Sequence, residues 1–443
     1  MILINVAIPG LLHDFNISRL KYVLDFIANH PSSPGGVKFS INEKNNEENI
    51  KVYYSDVGFN KINWVKPINI FFKKNFKPIK PIAQTKLSIN DLELTGFCAD
   101  GSPESMPFDV FETIFFHISR YEEWFCADHE RDIHGTMSST AQYLVKNKLY
   151  HIPVVDHLVY FFYSSIGLRP NKRTTTYSLT HDVDFIKKFS SYYKFLLGYG
   201  NILIYQKNKI QNIIHHTRHF FQVKAGKIKD TYDTFHWLLV GNDRISQRVI
   251  YLLSGGQTKY EGFFDIKSTY VKKLIEKAKE KGYQIGLHPS YNSMNNLSII
   301  QAERDVLSEI VKEDIELSRQ HYLRFDLSVT AKILELAGIK SDSSLGYRDL
   351  IGFRCGTGYP YHLYDFENEK AFEFVEVPLI VMDVAGMREC GWDSSLWIKL
   401  ISEFISENSH YTHITFNFHN SFFDPVVVDV DLLKKWYFQQ FGT

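Results

Sequence analysis

The sequence predicts an α/β protein: a distorted (β/α) barrel or open parallel sheet over the C-terminal part, preceded by a smaller α/β domain. Three observations predict it. From Arg248 onward, apolar β-branched runs alternate with amphipathic stretches over short links, the pattern of parallel strands joined by helices. The first 96 residues alternate short apolar runs with turns on a smaller scale. The chain has 443 residues, 44% of them apolar, 15% aromatic and 23% charged, enough for two or three well-cored domains. The expected division is a small α/β domain over 1–96, a helical connecting region over 97–170 and the barrel over 171–443.

Lysine plus arginine and aspartate plus glutamate both total 50, so no global basic field exists to hold nucleic acid or an anionic membrane. Cys98, Cys126, Cys355 and Cys390 show no paired metal spacing and read as reduced thiols rather than a disulfide framework. No apolar run approaches the roughly 20 residues of a membrane span. Met1 to Gly10 lacks a basic lead and reads as a first strand ending in a turn. A cytoplasmic protein is the expectation. The 26 tyrosines and 35 phenylalanines fit large buried layers and a carbohydrate-facing surface.

Taken in order, Leu20 to Ile27 reads as a helix, and Lys51 to Tyr54 and Ile68 to Phe72 as strands. Asn42 to Asn49 is a polar loop. Apolar residues at helical spacing make Phe108 to Trp124 a buried helix. Its charged end, Arg120-Tyr121-Glu122-Glu123, reads as a solvated terminus, with an interdomain ion pair as the alternative. Arg131 to Gly135 and Pro153 to Asp156 belong to the connection, and His134 is read as structural. Phe185 to Thr231 is a basic, aromatic excursion. It is read as an amphipathic helical insertion beside the site mouth, with polyanion binding as the alternative. Arg248 to Leu253 is a strand, Ser268 to Lys279 a helix with Ser268 as N-cap and Gly282 past its end, and Tyr283 to His288 another strand.

The chemistry gathers at strand ends. The run Thr174 to Tyr177 leads into Ser178-Leu179-Thr180-His181-Asp182-Val183-Asp184. Alternating acids on an extended strand point the same way, and two like charges so placed need a cation or a shared proton. An Asx turn closing the strand is the alternative. Gly286-Leu287-His288 ends a second strand, Arg319-Gln320-His321-Tyr322 follows a helix over about 299–311, and Ile414 to Phe418 ends in His419-Asn420. In a parallel β/α architecture these ends share one face, so three histidines and two aspartates point to one site.

This series resembles the polysaccharide deacetylases, the NodB-type, carbohydrate esterase family 4-like metal-dependent enzymes, over roughly Thr174 to Thr443. Thr180 to Asp184 resembles the first motif of that family, His288 its first metal histidine, Arg319-Gln320-His321-Tyr322 its arginine loop and Phe418-His419 its last motif. The family's second metal histidine corresponds to Asn292 here, and His321 stands where proline is usual. His321 is expected to supply the missing imidazole, the alternative being a packed loop residue and a degenerate site. The resemblance implies a metal set of Asp184, His288 and His321 holding one divalent ion; zinc is the expectation, and cobalt, nickel, iron or manganese fit the same donors. It further implies Asp182 as base, held ionised by the ion and by Arg319, and His419 as acid. Tyr322 and Arg354 are expected on the substrate side, Arg354 holding an anion or else bridging two loops. Segments Asp342 to Tyr347, Gly352 to Thr357 and Glu376 to Leu379 resemble a branch with an extra N-terminal domain. The implied activity is removal of an N-acetyl group from a carbohydrate or sugar intermediate. The alternatives are another C–N hydrolase on the same barrel and a non-catalytic carbohydrate-binding relative.

Overall fold

The computed structural model describes residues 2–9, 15–42, 50–56, 63–73, 84–89, 92–172, 174–205, 209–262, 264–409 and 412–442. The expected polar loop falls mostly on 43–49, outside the described residues. The larger sheet has nine strands and curls as an open barrel, with helices packed outside it. In spatial order they are Tyr361–Asp365, Lys370–Glu376, Ser341–Asp342, Leu317–Ser318, Gln284–Leu287, Ile245–Leu252, Thr176–Val183, His413–Asn417 and Val381–Met382. Every neighbouring pair is parallel except the first, an antiparallel hairpin. The α/β barrel expectation therefore holds.

Thr176–Val183 is buried from its second residue onward, as a central parallel strand covered on both faces must be. Its polar side chains are satisfied across the sheet. Ser178 Oγ meets His413 Nε2 at 2.9 Å, and Thr180 Oγ donates to the Phe416 carbonyl at 2.6 Å. The His181 ring lies between the Phe418 carbonyl, 3.1 Å from Nδ1, and the Tyr283 hydroxyl. Burial pushes His181 down to about 4, so this ring is a neutral structural element.

The N-terminal region carries a four-stranded parallel sheet in the order Val37–Ile41, Ile2–Ala7, Ile50–Tyr54, Trp64–Val65, with the helix Ile17–Asn29 crossing between the first two. The strand expected over Ile68 to Phe72 is absent. There the backbone N–H groups of Ile68, Asn69, Ile70 and Phe71 donate to the buried carboxylates of Asp109 and Glu112, at 3.0–3.3 Å, so two side chains replace a neighbouring strand. One apolar core runs from Ile4 to Phe441, with rings of Tyr22, Phe115, Tyr364 and Phe366 meeting where the two regions join. Arg19, fully buried, bonds Glu369 across the same junction.

The helix expected over Phe108 to Trp124 is two helices, Val110–Ile118 and Tyr121–Trp124, broken at Arg120, whose φ of 55° is left-handed. Its charged end is not solvated, which corrects the first expectation: Arg120 is fully buried and Glu123 nearly so. Glu123 bonds Arg120 Nη2 at 2.6 Å and takes Arg354 in a two-pronged pair at 2.9 and 2.8 Å. Burial would raise the Glu123 carboxyl, but Arg354 and then Arg120 outweigh it and bring it down to about 2.

A carboxyl depressed in the folded state stabilises the protein above the ordinary glutamate range, and that contribution is lost as pH falls toward about 2. Glu123→Gln leaves two buried guanidinium groups facing one neutral amide and should cost about 3–5 kcal/mol near neutral pH. In urea unfolding the gap between wild type and variant should narrow on acidification. A gap that is absent at neutral pH, or widens in acid, would contradict this account.

Candidate active site

The barrel brings the ends of five strands to one face, around a cavity of about 460 Å³. Thr176–Val183 delivers Asp182 and Asp184, Gln284–Leu287 delivers His288, and Leu317–Ser318 delivers Arg319 and His321. His413–Asn417 delivers Asn417 and His419, and Val381–Met382 delivers Asp383. Five of these residues, Asp182, Asp184, His288, His321 and His419, line the cavity.

Three donor atoms converge. His288 Nε2 lies 3.3 Å and His321 Nδ1 3.4 Å from Asp184 Oδ1, and the two nitrogens are 3.0 Å apart. The outer nitrogens fix the tautomers. His288 Nδ1 is 2.6 Å from the Arg319 carbonyl and His321 Nε2 is 3.0 Å from the Tyr260 carbonyl. A carbonyl only accepts, so each outer nitrogen carries the hydrogen and each inner nitrogen presents a lone pair. Asp184 Oδ1 is buried with no hydrogen-bond partner. Two lone pairs and a carboxylate oxygen cannot face one another unless a cation lies among them. Burial lowers the proton affinity of His321. At His288 burial is outweighed by Asp182 and Asp184, so a proton would settle there. A metal ion satisfies the same arrangement, since tetrahedral ligands at about 2.0–2.1 Å from an ion sit roughly 3.3 Å apart. Asn292 is exposed and stands outside this group.

Asp182 is differently employed. Its Oδ1 accepts from Arg319 at 3.0 Å and its Oδ2 from Asn417 Nδ2 at 2.8 Å. Burial opposes its charge, yet Arg319, with His288 and His419, holds it below the usual carboxylate range. Arg319, with no exposure, also bonds Thr180 and Ser343 and lies over the Tyr251 ring at 4.5 Å. That ring needs Gly286: a Cβ there would stand 2.5 Å from Tyr251 Cδ1.

His419 faces the acids from the other wall, its Nε2 3.9 Å from Asp182 and 3.8 Å from Asp184. Its Nδ1 bonds Asp383 Oδ1 at 2.8 Å, while its backbone N–H donates to the other oxygen at 2.7 Å. Burial opposes protonation, but Asp383, then Asp184 and Asp182, carry the imidazole up to about 10. Asp383 escapes a sequence reading because its strand is two residues long; the apolar run Leu379 to Met382 before it is the only local signal.

The outer cavity is aromatic on one side. Tyr260 and Tyr291 stack at 4.0 Å, Tyr322 meets Tyr260 edge-on, and His134 Nδ1 lies 2.9 Å from the Tyr291 hydroxyl. Tyr322, with φ of 58°, is held in the left-handed region with its carbonyl bonded to Arg348, and the residue is 37% exposed. The remaining wall comes from the connecting region. Asp132 pairs with Arg348, Thr136 accepts from Arg348 at 2.7 Å, and Ser139 bonds Asp349 at 2.6 Å. Nothing local marks Asp132 and Arg348 as partners, 216 positions apart. Arg354 reaches the cavity wall, but its donors are taken by Glu123 and the Gly346 carbonyl. Of its two expected roles, these contacts describe the loop bridge and not the anion holder.

Comparison with known proteins adds context. Residues 11–169 match a family described as "Family of unknown function (DUF7033)". No curated protein matches the chain. Among solved structures, a putative polysaccharide deacetylase from Mycobacterium smegmatis is similar at 13% identity and a TM-score of 0.33, over 61% of this chain and 85% of that one. A polysaccharide deacetylase from Bacillus cereus is similar at 10% identity and a TM-score of 0.28, over 60% and 88%. The Puue allantoinase is similar at 10% identity and a TM-score of 0.34, over 60% and 84%. Likenesses this loose assign no function to the chain.

Gly286→Ala should displace the Tyr251 ring and with it the bed of Arg319. Overpacking of this kind costs about 1–3 kcal/mol, and urea unfolding should read a loss in that range. Pairing it with Tyr251→Leu, which removes the obstructing ring, should recover part of the loss; failure to recover any would place the strain elsewhere.

Proposed function

We propose that the chain is a metal-dependent hydrolase that removes an N-acyl group, in first instance an N-acetyl group, from an amino-sugar substrate. The observation that carries this reading is the facing pair of imidazole lone pairs beside the unpartnered Asp184 oxygen, flanked by an ionised carboxylate and a charged imidazole. Asp184, His288 and His321 would hold the ion, and zinc suits two imidazoles and a carboxylate. When bound, such an ion polarises an amide carbonyl and acidifies water.

The chain's own residues divide the proton traffic. Asp182, kept ionised by Arg319 and oriented by Asn417, accepts the proton of the attacking water. His419 is held protonated, so that one ring hydrogen, on Nδ1, is directed at Asp383 while the second, on Nε2, faces the cavity and can pass to the departing amine nitrogen. The products are a carboxylate, acetate in the first instance, and a free amino sugar. A base and an acid tuned in opposite directions by their neighbours suit amide cleavage, where the leaving nitrogen must be protonated. Tyr322 and Tyr260 give the mouth faces on which a sugar ring stacks, and they favour a sugar over a cyclic amide, which the same acid and base would also open. Lys259 and Arg388 on the cavity wall suit a sugar attached to an anionic carrier, as a cytoplasmic intermediate would be.

Protein purified without chelator should carry one divalent ion per chain by elemental analysis. His321→Ala should lose that ion and Asn292→Ala should keep it; the reverse would remove His321 from the metal set. Asp182→Asn and His419→Ala should each lower turnover on N-acetylated amino sugars by about 10²–10⁴-fold, in protein that keeps its metal and still folds by circular dichroism. Turnover of cyclic amides but not of N-acetylated sugars would leave the chemistry standing and move the substrate class. Unaltered turnover in His419→Ala would remove it as the acid.

A further inference from the structure

The excursion between Phe185 and Lys229 takes no part in the site chemistry. It holds eight lysines and one arginine and not a single aspartate or glutamate, in a chain whose net charge is zero. Its two helices, Tyr192–Tyr205 and Lys209–Lys224, pack antiparallel: Tyr192 and Phe195 meet Phe220, and Tyr199 meets His216. They share a small core of Phe189, Phe195 and Phe220, separate from the main core. Gly198 brings the helices close, since a side chain there would run into the His216 ring.

That core accounts for only one apolar side of each helix. Nine of the eighteen exposed large apolar side chains among the described residues lie in this excursion. At about 100° per residue, Ile210, Ile214 and Phe221 fall on one stripe of the second helix, well away from the inward His216 and Phe220. They are 78%, 62% and 60% exposed. On the first helix Tyr193, Leu196 and Leu197 form a matching outer stripe, at 67%, 59% and 43%. Lys194, Arg218 and Lys224 are exposed along the same two helices.

We propose that this helical hairpin is a peripheral membrane anchor that lies on an anionic lipid surface. Exposed aliphatic stripes flanked by cations, without acids, match the acyl boundary and the phosphate layer of such a surface together. A nucleic acid would use the cations but not leucine and isoleucine, which offer no face for base stacking. A second copy of the chain would bring nine like charges against nine. Neither helix is long and apolar enough to cross a membrane, so the hairpin lies on the surface rather than spanning it. Its root is fixed to the barrel. Lys188 pairs with Asp424 at 2.6 Å, and Asp230 accepts from the backbone of Lys188 and Phe189. The excursion starts at Phe185, which follows Asp184 and lines the site cavity. A docked hairpin therefore holds that cavity near the lipid surface.

The test is co-sedimentation of the full chain with vesicles of phosphatidylcholine alone and of phosphatidylcholine mixed with phosphatidylglycerol. The full chain should bind the anionic vesicles at least about tenfold more tightly, and progressively less as salt rises. Ile210→Ser/Ile214→Ser/Phe221→Ser and, separately, Lys194→Glu/Arg218→Glu/Lys224→Glu should each lower that binding at least about tenfold, with circular dichroism and melting temperature unchanged. No binding at low salt, equal binding to both vesicles, or binding unaffected by either triple variant overturns the proposal. Tight RNA binding or self-association, lost in the same variants while vesicles are ignored, gives the face to another occupant and overturns it equally.

Discussion

Two imidazoles that spend their outer hydrogens on backbone carbonyls turn their inner nitrogens toward each other, and the carboxylate oxygen beside them calls for positive charge there, a metal ion or a proton on His288. The carbonyls belong to Arg319 and Tyr260, so the polarity of the site is written into the backbone as much as into its ligands. Arg319 has a double part. Its carbonyl orients His288 while its guanidinium fixes Asp182, and His321 follows two positions later. One short segment after a two-residue strand therefore sets the tautomer of one imidazole, the charge of the neighbouring acid and the position of the second imidazole. A shift of this segment moves all three.

An arginine with no solvent exposure is costly unless its donors are matched, and here every one of its three nitrogens bonds an acceptor, four bonds in all: Asp182, Thr180, and the hydroxyl and carbonyl of Ser343. The Tyr251 ring fills the space over its face, and Gly286 in the adjacent strand makes room for that ring. The sequence of dependence runs from a missing Cβ, through ring packing, to the ionisation of Asp182. On the opposite wall Asp383 grips His419 by both backbone and ring, so that imidazole can neither rotate nor shed its charge easily. Base and acid are thus held by partners of opposite sign, which is how two groups less than 4 Å apart keep different protonation states.

What was legible in the sequence was whatever a strand end advertises. Asp182, Asp184, His288 and His419 each follow an apolar run long enough to read as a strand, and the parallel alternation puts such ends on one face. Asp383 follows a strand too short to have a period, and Asp132 with Arg348 form a pair that only the fold brings together. Ile68 to Phe72 has strand composition, but composition cannot announce that Asp109 and Glu112 will take its N–H groups. Arg120-Tyr121-Glu122-Glu123 departs from its expected solvation for the opposite reason. Charged clusters are solvated by default, and the acceptors and donors that bury this one, the Arg354 carbonyl and guanidinium, lie 234 positions on.

That buried cluster explains how a catalytic barrel depends on the region before it. Glu123 sits on the short helix that ends at Trp124, and residues 132–139 cross from there over the cavity mouth. Arg354 ties the helix to the barrel loop that carries Arg348, and Arg348 in turn holds Asp132, Thr136 and the Tyr322 carbonyl. Tyr322 occupies a left-handed backbone position, unfavourable for an aromatic residue, and the bond from Arg348 helps keep it there. Removing the N-terminal region would therefore strip two walls at once: the polar one it supplies directly, and the aromatic one whose backbone it braces. The site chemistry belongs to the barrel, but the shape that would select a substrate is made where the two regions meet.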